Sequence, residues 1–444
     1  MTAAPELLLA YYGDDFTGST DALEFLSRAG ARTALFIEPP SAQQLARYPG
    51  LRAVGVAGLT RSMPPAEMET ELRPALAALR ALGAPHVHYK VCSTFDSSPA
   101  VGSIGRAIDI GAETFRARFV PLLVGAPALG RWCVFGNLFA RMGIGSGGAI
   151  HRLDRHPSMS RHPVTPADES DLRIHLSRQT GKRIALFDIL HVALPGHEAR
   201  AALDALLAGA PGIVLFDVLE TGQLARIGAL IDAFASAGHP LFSVGSSAIE
   251  MALGAHWTEQ GKLGPPPSWP DPGPAGPLLV MSGSCSPVTG GQVAWALANG
   301  FADVPLDAAA LACGGGCEHA LRAAIRHLQA GRHVVAHTCP REGDAPLAPA
   351  GSAAVGTALG NIARAAIAAS GARRLVVAGG DTSSHAARAL GIEAVEMIAP
   401  LAPGAPLCRA RAPGSPLDGA EVNFKGGQVG AADYFGAAVR GRMN

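Results

Sequence analysis

Leu7-Leu8-Leu9-Ala10-Tyr11-Tyr12-Gly13-Asp14-Asp15-Phe16-Thr17-Gly18-Ser19-Thr20-Asp21 is an apolar run that stops at a glycine, two carboxylates and a second glycine. It reads as strand, turn and helix, with the helical pattern expected over Asp21–Ala29. In open α/β sheets, ligands bind outside the carboxyl ends of the strands. Asp14 and Asp15 therefore stand where chemistry is done. One of them could hold a substrate hydroxyl or accept its proton, or hold a metal. Equally, Asp14, Asp15, Thr17 or Ser19 could simply cap a helix beginning near Thr20.

The same punctuation recurs near the other end. Leu375-Val376-Val377-Ala378 runs into Gly379-Gly380-Asp381-Thr382-Ser383-Ser384, again strand, turn and helix. Ser282-Gly283-Ser284-Cys285-Ser286-Pro287-Val288-Thr289 and Phe424-Lys425-Gly426-Gly427-Gln428-Val429-Gly430 are two further small, polar turns. Backbone N–H groups and hydroxyls at a helix N-terminus attract phosphate. A carboxylate-rich substrate turn and phosphate turns on separate domains are the layout of a small-molecule kinase.

Outward from these turns, apolar runs alternate with helical patterns. Strands are expected over Leu7–Tyr12, Thr33–Ile37, Ala53–Ala57, His86–Tyr89, Phe119–Val124, Ile184–Asp188, Gly212–Phe216 and Leu241–Val244. The second half repeats the rhythm, with strands over Leu278–Met281, Val304–Leu306, His333–His337 and Leu375–Ala378. The alternation argues for two α/β domains with largely parallel sheets and a site in the cleft between them. The proline-rich stretch 263–277 reads as an exposed linker between domains 1–262 and 278–444. The tract Met142–Met159 breaks the pattern and is expected to be a long loop or flap.

Composition narrows the function classes. The 444 residues hold 36 basic and 36 acidic side chains, so no large field favours nucleic acid or an anionic membrane. No apolar stretch approaches a membrane span, and no signal peptide is expected at the start. Seven cysteines without a Cys-x-x-Cys pair fit a reducing, cytoplasmic setting. Cys313 and Cys317 lack partners at zinc-like spacing.

Further chemistry is concentrated in Lys90-Val91-Cys92-Ser93-Thr94-Phe95-Asp96-Ser97-Ser98. Lys90 could take a substrate carboxylate, and Ser93 and Thr94 its hydroxyls; a capped, solvated turn has the same composition. Arg61, in Thr60-Arg61-Ser62, offers another anion contact or an ordinary surface charge. The segment 152–166, rich in arginine, histidine and proline, suits either closure over an anion or a homodimer contact. Gly125 to Gly130 has Walker spacing, but Arg131-Trp132 follows instead of Lys-Ser/Thr. Gly143, Gly145 and Gly148 match a dinucleotide fingerprint without a convincing strand before or helix after.

Taken in order, these motifs resemble those of the four-carbon acid sugar kinases. The resemblance rests on Gly13 to Asp21, Lys90 to Ser98 with Gly102-Ser103-Ile104-Gly105, and His162-Pro163-Val164-Thr165-Pro166. Gly283 to Ser286, Gly379 to Ser383 and Lys425 to Gly427 complete it, so that it spans nearly the whole chain. It implies an N-terminal acid-sugar-binding domain, a C-terminal nucleotide-binding domain, and ATP-dependent phosphorylation of a short sugar acid. By carry-over Asp15 orients or deprotonates the attacking hydroxyl, and Asp14, Arg61, Lys90, Ser93 and Thr94 face the sugar acid. Ser284, Ser286, Gly379, Gly380, Asp381, Thr382, Gly426 and Gly427 face ATP, and Mg²⁺ is expected with it. The chain has Gly427-Gln428-Val429-Gly430 where Gly-Phe-Gly is usual, and Gly379-Gly380-Asp381-Thr382 where Gly-Gly-Glu-Thr is common. Its Phe135–Arg161 region looks closer to a branch acting on 3-oxo-isoapionate than to the 3-oxo-tetronate branch. The alternatives are a sensor that binds sugar acid and nucleotide without turnover, and a nicotinamide-dependent dehydrogenase using the Gly143 loop.

Overall fold

The structure, a computed structural model, describes residues 7–442 except 143–147, 163, 285 and 340–350; of Asp381 it describes the backbone alone. The Gly143 turn and Cys285 thus fall largely or wholly outside the described residues. By contacts the chain forms two compact units. Unit 1 comprises 1–14, 25–33 and 38–267; unit 2 comprises 15–24, 34–37 and 268–444. The carboxylate pair of the first turn is therefore divided, Asp14 belonging to unit 1 and Asp15 to unit 2.

Strands are numbered in chain order. β1 (Leu9–Gly13), β3 (Ala53–Ala57), β4 (His86–Lys90), β5 (Val120–Leu123), β9 (Ile184–Phe187), β10 (Ile213–Phe216) and β11 (Leu241–Gly245) build the sheet of unit 1. Their order is β3-β1-β4-β11-β5-β10-β9, parallel throughout. All five residues of β1, β3 and β4 are buried, as strands covered on both faces should be; β1 and β3 are apolar, while β4 buries His86, His88 and Lys90. β1 has β3 on one side and β4 on the other, so the chain reverses its direction of travel across the sheet at β1. That is the switch point where an open α/β sheet leaves a crevice.

β2 (Thr33–Phe36), β12 (Leu278–Ser282), β13 (Ala302–Pro305), β14 (Val334–His337), β15 (Arg374–Ala378), β16 (Ala394–Ala402), β17 (Ala405–Arg411) and β18 (Glu421–Lys425) remain. In unit 2, β13-β14-β12-β15-β18 run parallel, and β17, β16 and β2 extend them antiparallel. Here β12 lies between β14 and β15, which makes its carboxyl end the switch point. The core of unit 2 packs the aliphatic Val280, Val335 and Val376 with the aromatic Tyr434 and Phe435. The α/β architecture with largely parallel sheets is as the alternation predicts; β16 to β18 are additions that the sequence reading did not contain.

Two expectations need correction. The first helix begins at Phe16, not near Asp21, and runs to Arg28. Met142–Met159 is not simply a loop: β8 (Ile150–Arg152) lies inside it. It pairs antiparallel with β7 (Asn137–Arg141), which pairs with β6 (Arg131–Val134). Alternating burial along β6 and β7 explains why no apolar run advertised them. No described helix is long and apolar enough to cross a membrane.

Candidate functional site

In unit 1 the expected substrate residues gather at the switch point. Asp14 follows β1, Arg61 lies after β3, and Lys90 ends β4. Asp14 is 2% exposed. Its carboxylate takes two bonds from Arg61, from Nη2 at 2.7 Å and Nε at 3.1 Å. Its N–H donates to the Lys90 carbonyl at 2.9 Å, and its own carbonyl accepts from Arg61 N–H at 3.0 Å. Gly102, at φ +59°, makes this packing possible: a Cβ there would come 2.4 Å from the Arg61 carbonyl oxygen. Arg61 is thus held in a bidentate pair, not spread on the surface. Burial and the Asp14 charge push the Tyr89 phenol well above its usual range, and its hydroxyl shares a 2.8 Å hydrogen bond with Thr60 Oγ1.

Lys90 is buried, with Nζ donating to the Val91 carbonyl at 3.0 Å. Ser93 and Thr94 are buried in the turn that follows. Thr94 Oγ1 is 2.9 Å from Cys92 Sγ, and burial pushes the Cys92 thiol up to about 11. Phe95 sits at φ 56°, a region that non-glycine residues rarely occupy, and turns the chain toward Ser97. Ser97 Oγ is bonded to His175 Nε2 at 3.0 Å. The small cavity beside this turn, walled by Thr94, Asp96, Thr165, Glu169 and His175, holds about 10 Å³, the room of one water.

In unit 2 the expected phosphate residues stand together. Ser284 and Ser286 follow β12, Gly379 to Thr382 follow β15, and Gly426-Gly427 follow β18. Gly379 has φ +126°, and a Cβ there would meet Thr382 Oγ1 at 2.8 Å and Ser284 N at 3.3 Å. A Cβ at Gly427 would meet Ser284 Oγ at 2.7 Å. Ser286 caps the Pro287–Ala298 helix through Thr289 N–H and also donates to the Gly427 carbonyl. Thr289 Oγ1 donates to the same carbonyl at 2.8 Å, and Gln292 Nε2 holds the carbonyls of Val429, Gly430 and Ala431. Gln292 had no signal in the sequence, because its role depends on the helix face that meets the glycine turn.

Lys425 is not a phosphate contact in this arrangement. It is fully buried, donates from Nζ to Thr289 Oγ1 at 3.0 Å, and lies over the Tyr434 ring. Burial lowers its pKa to about 7.

Asp15 belongs with this cluster. Its carboxylate accepts from Gly18 N–H at 2.6 Å and from Thr17 Oγ1 at 2.7 Å, which makes it the cap of the Phe16–Arg28 helix. Phe16 N–H donates to Ser384 Oγ at 3.1 Å, and the Phe16 ring packs on Phe424 at 4.4 Å. A Cβ at Gly380 would stand 3.5 Å from Asp15 Oδ2. Three helix N-termini, at Phe16, Pro287 and Gly380, therefore lie at the glycine turns, with the Asp15 carboxylate among them. Helix N-termini carry unsatisfied N–H donors and the positive end of the helix dipole, which favour an anion.

The dinucleotide fingerprint has the wrong surroundings: β7 before it and β8 after it are antiparallel neighbours, not strand then helix. Among the described residues no group of three or more His, Cys, Asp or Glu is placed to hold a metal ion.

Comparison with known proteins gives the family. Residues 9–253 match the model of a sugar-binding N-terminal domain, and residues 279–435 that of a nucleotide-binding C-terminal domain. The chain belongs to the four-carbon acid sugar kinase family. It is 46% identical to a 3-oxo-isoapionate kinase of Paraburkholderia graminis, over 98% of this chain and 95% of that one. It is 34% identical to a 3-oxo-tetronate kinase of Methylobacterium radiotolerans, over 98% and 99%. Among solved structures it resembles that of a Salmonella typhimurium protein provisionally named a tRNA synthase. There the TM-score is 0.76 and the identity 25%, over 97% of this chain and 98% of that one.

Proposed function

We propose that the protein is an ATP-dependent kinase that phosphorylates a hydroxyl of a short sugar acid, with a 3-oxo-isoapionate-type branched acid as acceptor. One observation carries the reading: the Asp15 carboxylate lies against the Gly379-Gly380 turn, where the end of a nucleotide's phosphate chain belongs. The higher identity to the 3-oxo-isoapionate kinase than to the 3-oxo-tetronate kinase supports the choice of acceptor.

In this account Ser284, Ser286, Gly379, Gly380, Asp381, Thr382, Gly426 and Gly427 hold ATP, largely through backbone N–H groups and hydroxyls. Asp14, Arg61, Lys90, Ser93 and Thr94 serve the sugar acid. Asp15 orients the attacking hydroxyl and accepts its proton as the new O–P bond forms and ADP leaves. Mg²⁺ neutralises phosphate charge when bound. Asp15, with the phosphates and water, suits the way this ion is usually held, by one or two carboxylates.

The test is ADP release with Mg-ATP over D- and L-threonate, erythronate, their 3-oxo forms and 3-oxo-isoapionate. Turnover should be greatest on 3-oxo-isoapionate. ATP binding without turnover on any member would favour the sensor reading instead.

A further inference from the structure

Arg131, the first residue of β6, is only 6% exposed. Its Nη1 donates to the carbonyls of Leu129 at 3.2 Å, Gly130 at 3.0 Å and Arg141 at 3.1 Å. Its Nε is buried and has no hydrogen-bond partner. Among the described residues no carboxylate lies within ion-pairing distance of it. A guanidinium does not deprotonate in a protein, so this is a standing positive charge in the interior without a counter-ion. Such a charge is costly unless something pairs with it.

The groups that face Arg131 electrostatically are Cys92, Asp96 and His156. The Cys92 thiol stays neutral at pH 7, because burial holds its pKa high. Asp96 is the remaining anion, and its Oδ1 is itself buried without a partner. Arg131 and Asp96 thus each bury an unpartnered polar atom in unit 1, and no hydrogen bond or ion pair joins them. Asp96 follows β4 in the turn that carries Ser93 and Thr94. Arg131 follows β5 through the short turn Pro127–Leu129. Both therefore lie at the carboxyl end of the unit 1 sheet, where its ligand belongs.

A structural role, tying the β6–β7 hairpin through three carbonyls, accounts for Nη1. It leaves the charge and the Nε–H without purpose. Arg61 is the anion contact the sequence suggests, but its fork is engaged on Asp14.

We propose that Arg131 receives the carboxylate of the acid substrate and that Asp96, at the same end of the sheet, accepts a substrate hydroxyl. The proposal rests on the sugar-acid kinase reading and adds the residues that make the site select an acid. With so little of Arg131 exposed, only a small terminal anion reaches it. A carboxylate fits a guanidinium edge in a way that an ammonium does not reproduce.

The experiment uses the full chain, the sugar acid that the wild type phosphorylates best, and its uncharged amide. Binding is followed by calorimetry and turnover by ADP release. Arg131→Met should raise KM and Kd for the acid by about 30-fold or more, leave KM for ATP within about twofold, and abolish the preference for acid over amide. Asp96→Asn should weaken acid and amide alike and keep the preference. An Arg131→Met protein with unchanged acid Kd, or with acid-over-amide preference intact, overturns the proposal. If Arg131→Met does not fold, Arg131→Lys decides: acid KM raised about tenfold with the amide unaffected supports it, and unchanged acid KM overturns it. Calorimetry keeps the two readings apart. A wild type that binds the acid without phosphorylating it fails the kinase reading and leaves Arg131 open to the same test.

Discussion

The Asp15 carboxylate caps its helix and, in the proposed reading, also accepts the substrate proton; the two roles can be separated. Asparagine is as good a helix cap as aspartate, so Asp15→Asn should cost less than about 1 kcal/mol of stability. It removes the proton acceptor, and turnover should fall by about 10²- to 10⁴-fold with ATP affinity kept. Thermal melting, nucleotide titration and steady-state kinetics on the one variant check all three. Lys425 is the second residue with a measurable signature. Its pKa is about 7 in the folded chain against an ordinary 10.5, so the unfolded chain binds more protons between those pH values. Stability should then rise with pH from about 7 toward 10.5, with the full penalty below 7. In Lys425→Met that slope should be lost: relative to wild type, the variant should gain most at pH 6 and least near pH 10 in melting experiments. Parallel curves would contradict the assignment. The carboxylates, serines and glycines of both turns were visible in the sequence because polar residues after apolar runs mark strand ends. Arg131 was not: in the sequence it only breaks the Walker spacing of Gly125 to Gly130, and nothing in a sequence shows that an arginine is buried without an ion-pair partner.

Elements place these residues with more economy than their sequence positions suggest. Asp14, Arg61 and Lys90 come from three strands that are neighbours around one switch point, and Ser284, Gly379 and Gly427 from three strands around another. The strands of both parallel sheets were legible as apolar runs, and Ala53–Ala57 has the expected bounds. The first helix was placed five residues late because its opening turn, Phe16-Thr17-Gly18-Ser19, looks like loop by composition. Tertiary contacts of Phe16 with Ser384 and Phe424 override that local preference. β8 is three residues long with exposed faces, while Glu396 and Pro400 interrupt the apolar run of β16 and Arg409 that of β17. At this scale Gly380→Ala is the informative change. Its Cβ would make ordinary contact with Asp15 Oδ2 at 3.5 Å, so melting temperature should hold. It occupies the space assigned to the phosphate chain, and kcat/KM should fall at least tenfold, or about 1.4 kcal/mol in transition-state binding. Undiminished kcat/KM would move the phosphate site elsewhere.

For the whole molecule, the sequence expectation of a single proline-rich boundary meets a chain whose second compact unit also takes in Asp15–Glu24 and Ala34–Ile37. Within that unit Glu24 Oε2 accepts Gly404 N–H at 2.8 Å, and β2 pairs with β16. Residues 268–444 expressed alone should therefore fail to fold cooperatively, losing a strand partner and the Phe16 ring from Phe424. A sharp, reversible melt of that fragment would refute this. Such discontinuity is invisible to composition, because it is decided by contacts hundreds of residues apart.

The most direct measurement is ADP release by wild type and Asp15→Asn with Mg-ATP across the sugar-acid panel. The account predicts strong wild-type turnover, greatest on 3-oxo-isoapionate, and its loss in Asp15→Asn with ATP still bound. Turnover unaffected by the substitution, or a wild type silent on every acid while binding ATP, would contradict it.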